Sequence, residues 1–285
     1  MAALHLVSTP IGNLGDFTFR AVEVLRAADV VLAEDTRRSR VLLRHYGVDA
    51  RMVSAHEHNE AARAVTVVEM LREGKQVALL TDAGTPLLSD PGARIVRAVL
   101  NAGFAVVPIP GASALLAALV ASGISADRFV FYGFIPRRGG KRSELLEEMA
   151  RSAYTSVLYE SPHRTAELLG DLQAVAGAGR RVTVARELTK IHEEFFRGTL
   201  EEGVARFGNV EVRGEIVVVL EGRGEEEAAE EAAVTDALAA RSLAEALIAQ
   251  GMPPSAAARE LRRRLGIPRN AAYALLQALT GERER

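Results

Sequence analysis

The chain has 285 residues, with 35 Lys and Arg against 37 Asp and Glu, for a formal net charge of −2. At 48% hydrophobic and 25% charged residues it has an ordinary globular composition, which excludes a mostly disordered chain and a uniformly basic nucleic-acid coat. Cysteine is absent, which excludes disulfides, thiolate nucleophiles and cysteine-held zinc or iron–sulfur centres.

The first residues, His5-Leu6-Val7-Ser8, alternate as a strand does and lack the charged head and long apolar run of a signal peptide. No apolar run reaches the roughly 18 residues that a membrane span needs, so a cytoplasmic protein is expected. Apolar runs at Leu4–Ser8, Val30–Ala33, Met52–Ala55, Val77–Thr81 and Ala105–Ile109 read as strands, with helical patterns near 17–28, 37–46, 59–73 and 91–102 between them. Continuous apolar strands separated by helices imply parallel crossovers, so residues 1–120 are expected to form an α/β domain on a mostly parallel sheet. Further strands are expected at Phe129–Phe134, Ser156–Tyr159, Arg181–Ala185, Glu194–Gly198 and Ile216–Leu220. Some follow one another without room for a crossover helix, which suggests a second α/β domain with a mixed sheet over 121–222.

Composition then shifts. Residues 221–240 hold seven acidic residues against Arg223 alone and read as a linker or exposed helix over 223–240. Residues 241–285 hold eight arginines against four glutamates, and their Pro and Gly breaks suggest short helices near 236–250, 254–265 and 269–279. A small helical domain of helix-turn-helix character is expected at 241–285.

In open parallel sheets ligands bind beyond the carboxyl ends of the strands. Three post-strand segments there are rich in small and turn-forming residues: Ser8 to Asp16, Thr81 to Gly92, and Pro110-Gly111-Ala112-Ser113. Such residues make tight turns, and they also let a ligand approach the backbone. Neither G-x-G-x-x-G after the first strand nor a P-loop pattern is present, which points to a nucleoside ligand without a phosphate chain. Glu34-Asp35-Thr36-Arg37-Arg38 closes the second strand with groups that can move protons or cap a helix. His56-Glu57-His58 has no second cluster to complete a zinc site, and no metal is expected. Arg137, Arg138, Lys141 and Arg142 crowd one loop, as a phosphate-binding segment or a solvated loop would.

Several of these motifs together resemble one family. Pro10-Ile11-Gly12-Asn13-Leu14-Gly15-Asp16, Glu34-Asp35-Thr36-Arg37, Asp82-Ala83-Gly84-Thr85-Pro86, Asp90-Pro91-Gly92, Pro110-Gly111-Ala112-Ser113, Phe134-Ile135-Pro136-Arg137, Tyr159-Glu160-Ser161-Pro162-His163-Arg164 and Arg186-Glu187-Leu188-Thr189-Lys190 look like the ribosomal RNA small subunit methyltransferase I family, within the tetrapyrrole methylase superfamily. The resemblance covers residues 4–222 and extends weakly into the tail.

It implies two α/β domains with S-adenosylmethionine bound in the cleft between them, and 2′-O-methylation of a cytidine ribose in the decoding region of 16S rRNA (cytidine 1402 in the conventional count). It also implies a homodimer. Pro10, Asp82, Ala83, Gly84, Thr85, Pro86, Ala112 and Ser113 would line the cofactor pocket, with Glu160 and Glu215 closing over the adenosine end. Candidates for the base are Glu187, Lys190, Glu34 and Asp35, with His163 behind them. Lys190 serves as base if its neighbours depress its pKa, or otherwise as an electrostatic stabiliser.

Arg37, Arg38, Arg137, Arg138, Lys141 and Arg142, with Arg262 and Arg263 in the tail, would hold RNA phosphates. The tetrapyrrole-modifying members carry a glycine-rich first loop, whereas this chain has Thr9-Pro10-Ile11-Gly12-Asn13, which favours the RNA branch. The alternatives are a corrinoid or porphyrin methyltransferase and a non-catalytic ribosome-binding factor.

Overall fold

The structure, a computed structural model, describes residues 2–208 and 210–283, and the side chains of these except at 225–236 and 280–283. The chain forms two compact units, Met1–Gly222 and Arg223–Arg285.

Five strands of the first unit build a parallel sheet: β1 (Ala3–Val7), β2 (Val30–Ala33), β3 (Met52–Ser54), β4 (Val77–Leu80) and β5 (Ala105–Ile109), in the order β3-β2-β4-β1-β5. Helices α1 (Phe19–Ala27) and α2 (Thr36–His45) cover one face, packing Ala21, Leu25 and Leu43 against Val7, Val31 and Leu80. Helices α3 (Glu60–Arg72) and α4 (Ala93–Asn101) cover the other, packing Val67, Leu71, Ile95 and Val99 against Leu4, Leu32 and Leu79. A sheet covered on both faces needs apolar residues on both, which is why its strands show no polar alternation.

The order also fixes where a ligand can sit. From β1 the chain crosses β4 to reach β2, and from β4 it crosses β1 to reach β5. The loops after β1 and β4 therefore depart in opposite directions and leave a crevice at their carboxyl ends.

Helix α5 (Ala114–Ala121) leads into a second sheet of β6 (Phe129–Phe134), β7 (Thr155–Glu160), β8 (Arg181–Arg186), β9 (Glu194–Thr199) and β10 (Ile216–Leu220), in the order β6-β7-β10-β8-β9. Only β6 and β7 pair in parallel; the remaining pairs are antiparallel. Helices α6 (Gly140–Arg151), α7 (Thr165–Ala176) and α8 (Leu200–Phe207) bury Met149, Leu168, Leu172 and Leu200 on one face. On the other face α5 packs Leu115, Ala118 and Leu119 against Val157, Val217 and Val219. Ile216 pairs with both Glu160 and Arg186, so the ends of β7 and β8 and the start of β10 share one sheet edge.

The second unit is helical: α9 (Glu225–Ala249), α10 (Pro254–Leu265) and α11 (Arg269–Arg283). The acidic stretch forms the first part of one 25-residue helix and not a separate linker; the side chains of 225–236 lie outside the described residues. Ala244, Leu247, Ala258, Leu261, Leu276 and Leu279 make its core. Gly266, at φ +67°, ends α10 in the left-handed conformation, and Pro268 precedes α11. No helix among the described residues is long and apolar enough to cross a membrane.

Candidate active site

A cavity of about 410 Å³ opens in the first unit between the loop-bearing edge of the parallel sheet and the β7/β10 edge of the mixed sheet. Asp82, Gly84, Thr85, Asp90 and Ser113 come to it from the first side, and Phe134, Tyr159, Glu160, Gly214 and Glu215 from the second.

The first wall is built mainly of backbone. Thr9 and Gly84 exchange both backbone hydrogen bonds, N–H to O at 2.8 and 3.0 Å, which ties the loop after β1 to the loop after β4. Thr85 Oγ1 donates to the Ala112 carbonyl at 3.2 Å and ties in the loop after β5. Gly111 lies so close to the first loop that a Cβ there would stand 2.9 Å from Ser8 Cβ, so the approach requires glycine. Ser113 caps α5, which begins at the cavity. Asp82 joins this wall to β2: its Oδ1 accepts from the Asp35 N–H at 3.1 Å, and its Oδ2 pairs with Arg38 at 3.4 Å. Asp90 Oδ2 accepts from Thr81 Oγ1 at 2.6 Å.

The second wall is built of charged side chains held by one another. Glu160, 2% exposed at the end of β7, pairs with Arg164 four residues on. Its Oε1 also accepts from the Ser161 N–H at 2.5 Å, while its Oε2 has no partner. A buried carboxylate oxygen without a donor is costly in a closed protein and fits a ligand that brings one. At the rim, Lys190 Nζ donates to Glu187 Oε1 at 2.8 Å and pairs with Glu215 Oε2 at 3.1 Å, and the Glu215 N–H donates to the same Glu187 oxygen at 3.0 Å. Gly214, at φ +93°, leaves the space that Glu187 occupies; a Cβ there would overlap the carboxyl. Glu187 is itself left-handed, at φ +52°. Phe134 and Tyr159 stand with ring centroids 5.4 Å apart and give this wall an aromatic surface.

The charges follow. Burial opposes the ammonium of Lys190, but the Glu187 and Glu215 carboxylates outweigh it and raise its pKa. The neighbours thus do the opposite of what a lysine base requires. The hydrogen bond from Lys190 holds the Glu187 carboxyl below its ordinary value. Glu34 is pushed up, by burial first and then by the Asp82 and Asp90 carboxylates. Asp35 is held down by its hydrogen bonds from Arg37 and works as the N-cap of α2.

Of the cofactor residues expected from sequence, Asp82, Ala83, Gly84, Thr85, Ser113, Glu160 and Glu215 reach the cavity wall. Pro10, Pro86 and Ala112 do not; Ala112 acts through its carbonyl. Ile11, Leu88, Phe134 and Tyr159 line the cavity without having been singled out as pocket residues. Among the expected RNA contacts, Arg137, Arg138 and Lys141 are exposed. Arg37 and Arg38 are largely exposed, paired with Asp35 and Asp82.

Arg142 is a correction. It is only 5% exposed, its guanidinium donates to Asp171 Oδ2 at 2.7 and 3.1 Å and to the Pro136 carbonyl at 3.2 Å, and it ties α6 to α7 instead of facing solvent. The signal was its helical phase: Arg142, Leu146 and Met149 share the buried face of α6. Arg263 is exposed but held by Glu260 at 2.6 and 2.9 Å.

Comparison with known proteins decides the family. Residues 3–203 match the tetrapyrrole (corrin/porphyrin) methylases. The chain belongs to the tetrapyrrole methylase family. Such methylases use S-adenosylmethionine as methyl donor, so this chain is a methyltransferase with that cofactor. It is 44% identical over 277 residues to the "Ribosomal RNA small subunit methyltransferase I" of Synechocystis, covering 96% of this chain and 97% of the relative. It is 41% identical over 273 residues to the protein of the same name from Bacillus subtilis, covering 96% and 93%. Among solved structures, diphthine synthase matches with a TM-score of 0.62 at 17% identity, over 80% of this chain and 94% of that one. Uroporphyrin III C-methyltransferase from Thermus thermophilus matches with a TM-score of 0.55 at 25% identity, over 77% and 97%. The tetrapyrrole methylase fold thus extends over the α/β unit.

Proposed function

We propose that this chain methylates the ribose 2′-oxygen of a cytidine in the decoding region of 16S rRNA, cytidine 1402 in the conventional count, within the small ribosomal subunit and as a homodimer. The observation that carries the reading is near-full-length identity above 40% to relatives named for small-subunit rRNA methylation, in organisms as distant as Synechocystis and Bacillus subtilis. Arg137, Arg138 and Lys141, exposed beside the exposed ring of Phe134, support an RNA over a macrocycle.

The cavity residues fit the cofactor. Backbone groups of Asp82 to Thr85 accept close approach by a nucleoside, and Glu160 Oε2 offers an acceptor to a hydroxyl or amino group. When bound, S-adenosylmethionine supplies a methyl group already activated on a sulfonium. The protein then has to align the acceptor oxygen, exclude water and take the hydroxyl proton. Glu34, which directly follows β2, is suited to the proton: burial and the carboxylates of Asp82 and Asp90, both of which line the cavity, raise its pKa and make it a better base than an ordinary carboxylate. Lys190, kept cationic, steadies negative charge at the rim.

The test is transfer of labelled methyl to small subunits from cells lacking the modification, to naked 16S rRNA and to a corrin precursor. Label on one decoding-region ribose is expected, and label in the macrocycle would overturn the reading. Glu34→Gln should lower the transfer rate about a hundredfold at neutral pH. It should also remove the acidic limb of the pH–rate profile, since a base with a raised pKa is lost as pH falls through that value. An unchanged limb would remove Glu34 from the role.

A further inference from the structure

Helices α10 and α11 enclose a second cavity of about 310 Å³, lined by Ser255, Ala258, Arg259, Arg262, Arg269 and Tyr273. The geometry points to a binding site for the phosphodiester backbone of single-stranded RNA in this groove, an inference that rests on the rRNA reading above.

The arginines of the helical unit fall into two groups. Arg263 and Arg264 both reach Glu260, with contacts of 2.6 Å each, so their charge is spent within α10. Arg259 and Arg262 lie one turn apart on the face carrying Ser255 and Ala258, and Arg269 meets them from the first turn of α11. None of the three pairs with a carboxylate among the described residues, and all three are exposed. Three guanidiniums brought to one concave site repel each other, an arrangement that an anion relieves.

The start of α11, a helix of 15 residues, adds the positive end of its dipole. Arg269 lies over the Tyr273 ring, 5.7 Å from its centroid, so the ring and guanidinium present a stacked edge beside the charges. Arginine with an aromatic side chain suits a nucleotide, with phosphate on the guanidiniums and base on the planar group. An acidic peptide would use the charges but not the stacked edge. The floor, Ala258, is small, which lets a phosphate come close to the helix.

The experiment compares Arg262→Ala with Arg264→Ala in the full chain. Both remove one exposed cation from the same helix, and neither touches the packed Leu261 and Leu276. Binding to naked 16S rRNA is measured across salt concentrations, with S-adenosylmethionine affinity as the control. Arg262→Ala should weaken RNA binding about fivefold and flatten the dependence of log K on log salt by about 0.7, one phosphate's worth of released counterion on single-stranded RNA. Arg264→Ala should stay within about twofold of wild type. Arg259→Ala, Arg262→Ala and Arg269→Ala combined should flatten the slope by about 2.

Equal effects of the two single variants would overturn the site, because net charge and not the groove would then matter. Normal binding of the triple variant to naked RNA, with lost binding to assembled subunits, would also overturn it, since the groove would then meet a ribosomal protein. Failure of the wild-type chain to bind naked RNA at all would overturn the groove as an RNA site, whereas failure to methylate assembled small subunits would be failure of the functional reading, so the two failures are separable.

Discussion

The two walls of the active-site cavity are made by different physics. On the parallel-sheet side, three loops are joined by backbone hydrogen bonds and by a contact that only glycine allows, and the wall presents amide groups and small side chains. On the mixed-sheet side, Glu160 with Arg164 and Lys190 with Glu187 and Glu215 hold the wall by charge. A backbone wall holds its shape with little dependence on pH and suits recognition of an invariant donor. A wall of charges is sensitive to its partners, so its shape depends on every pair staying intact. The difference teaches that the same cleft can be damaged by sterics on one side and by electrostatics on the other.

That contrast can be broken most strongly at Arg164. Replacing it by alanine leaves the buried Glu160 carboxylate without its cation, at a cost of about 3 kcal/mol by denaturant titration. Adding Glu160→Gln should recover part of the loss, because a neutral amide needs no counter-charge; no recovery would mean that the pair matters by packing and not by charge. On the other wall, Gly111→Val should cost about 2 kcal/mol through its clash with Ser8, with no dependence on pH. A pH-dependent loss there would blur the division between the walls.

The smallest effect is expected at Glu187→Gln, about 1 kcal/mol. Glu187 has a depressed pKa and Lys190 a raised one, so the pair contributes above the ordinary carboxylate range. The contribution disappears as pH falls through the depressed value of Glu187, and again as pH rises through the raised value of Lys190. Melting curves of wild type and variant should therefore differ at neutral pH and converge in strong acid. A constant difference at all pH values would contradict the electrostatic origin.

Much of the fold was legible because its strands are short apolar runs of distinctive length: Ile216–Leu220, buried on both faces, reads as a central strand from sequence alone. The first wall was legible too, because the loops after β1, β4 and β5 are marked by Gly, Pro and Ser. The second wall was less so. Phe134, Tyr159 and Ile216 meet only through the register of β6, β7 and β10, and no local spacing records pairing across 56 residues of sequence, as between Glu160 and Ile216. Arg142 misled because a run of cations in sequence looks like one surface, whereas the start of α6 turns one member inward against Asp171. In the helical unit, likewise, Arg262 and Arg263 are neighbours in sequence, but the helix sends one to the groove and the other to Glu260.

The most direct test of the two-walled cavity as the cofactor site is calorimetric titration of S-adenosylmethionine into wild type and Asp82→Ala. Asp82 lines the cavity and anchors the Asp35 N–H and Arg38, so its removal strips both an acceptor and the support behind the first wall. One site per chain is expected in the wild type, with affinity about a hundredfold weaker in the variant, the equivalent of one lost charge-assisted contact of about 2.7 kcal/mol. Undiminished affinity in a folded Asp82→Ala protein would contradict the account and place the donor elsewhere.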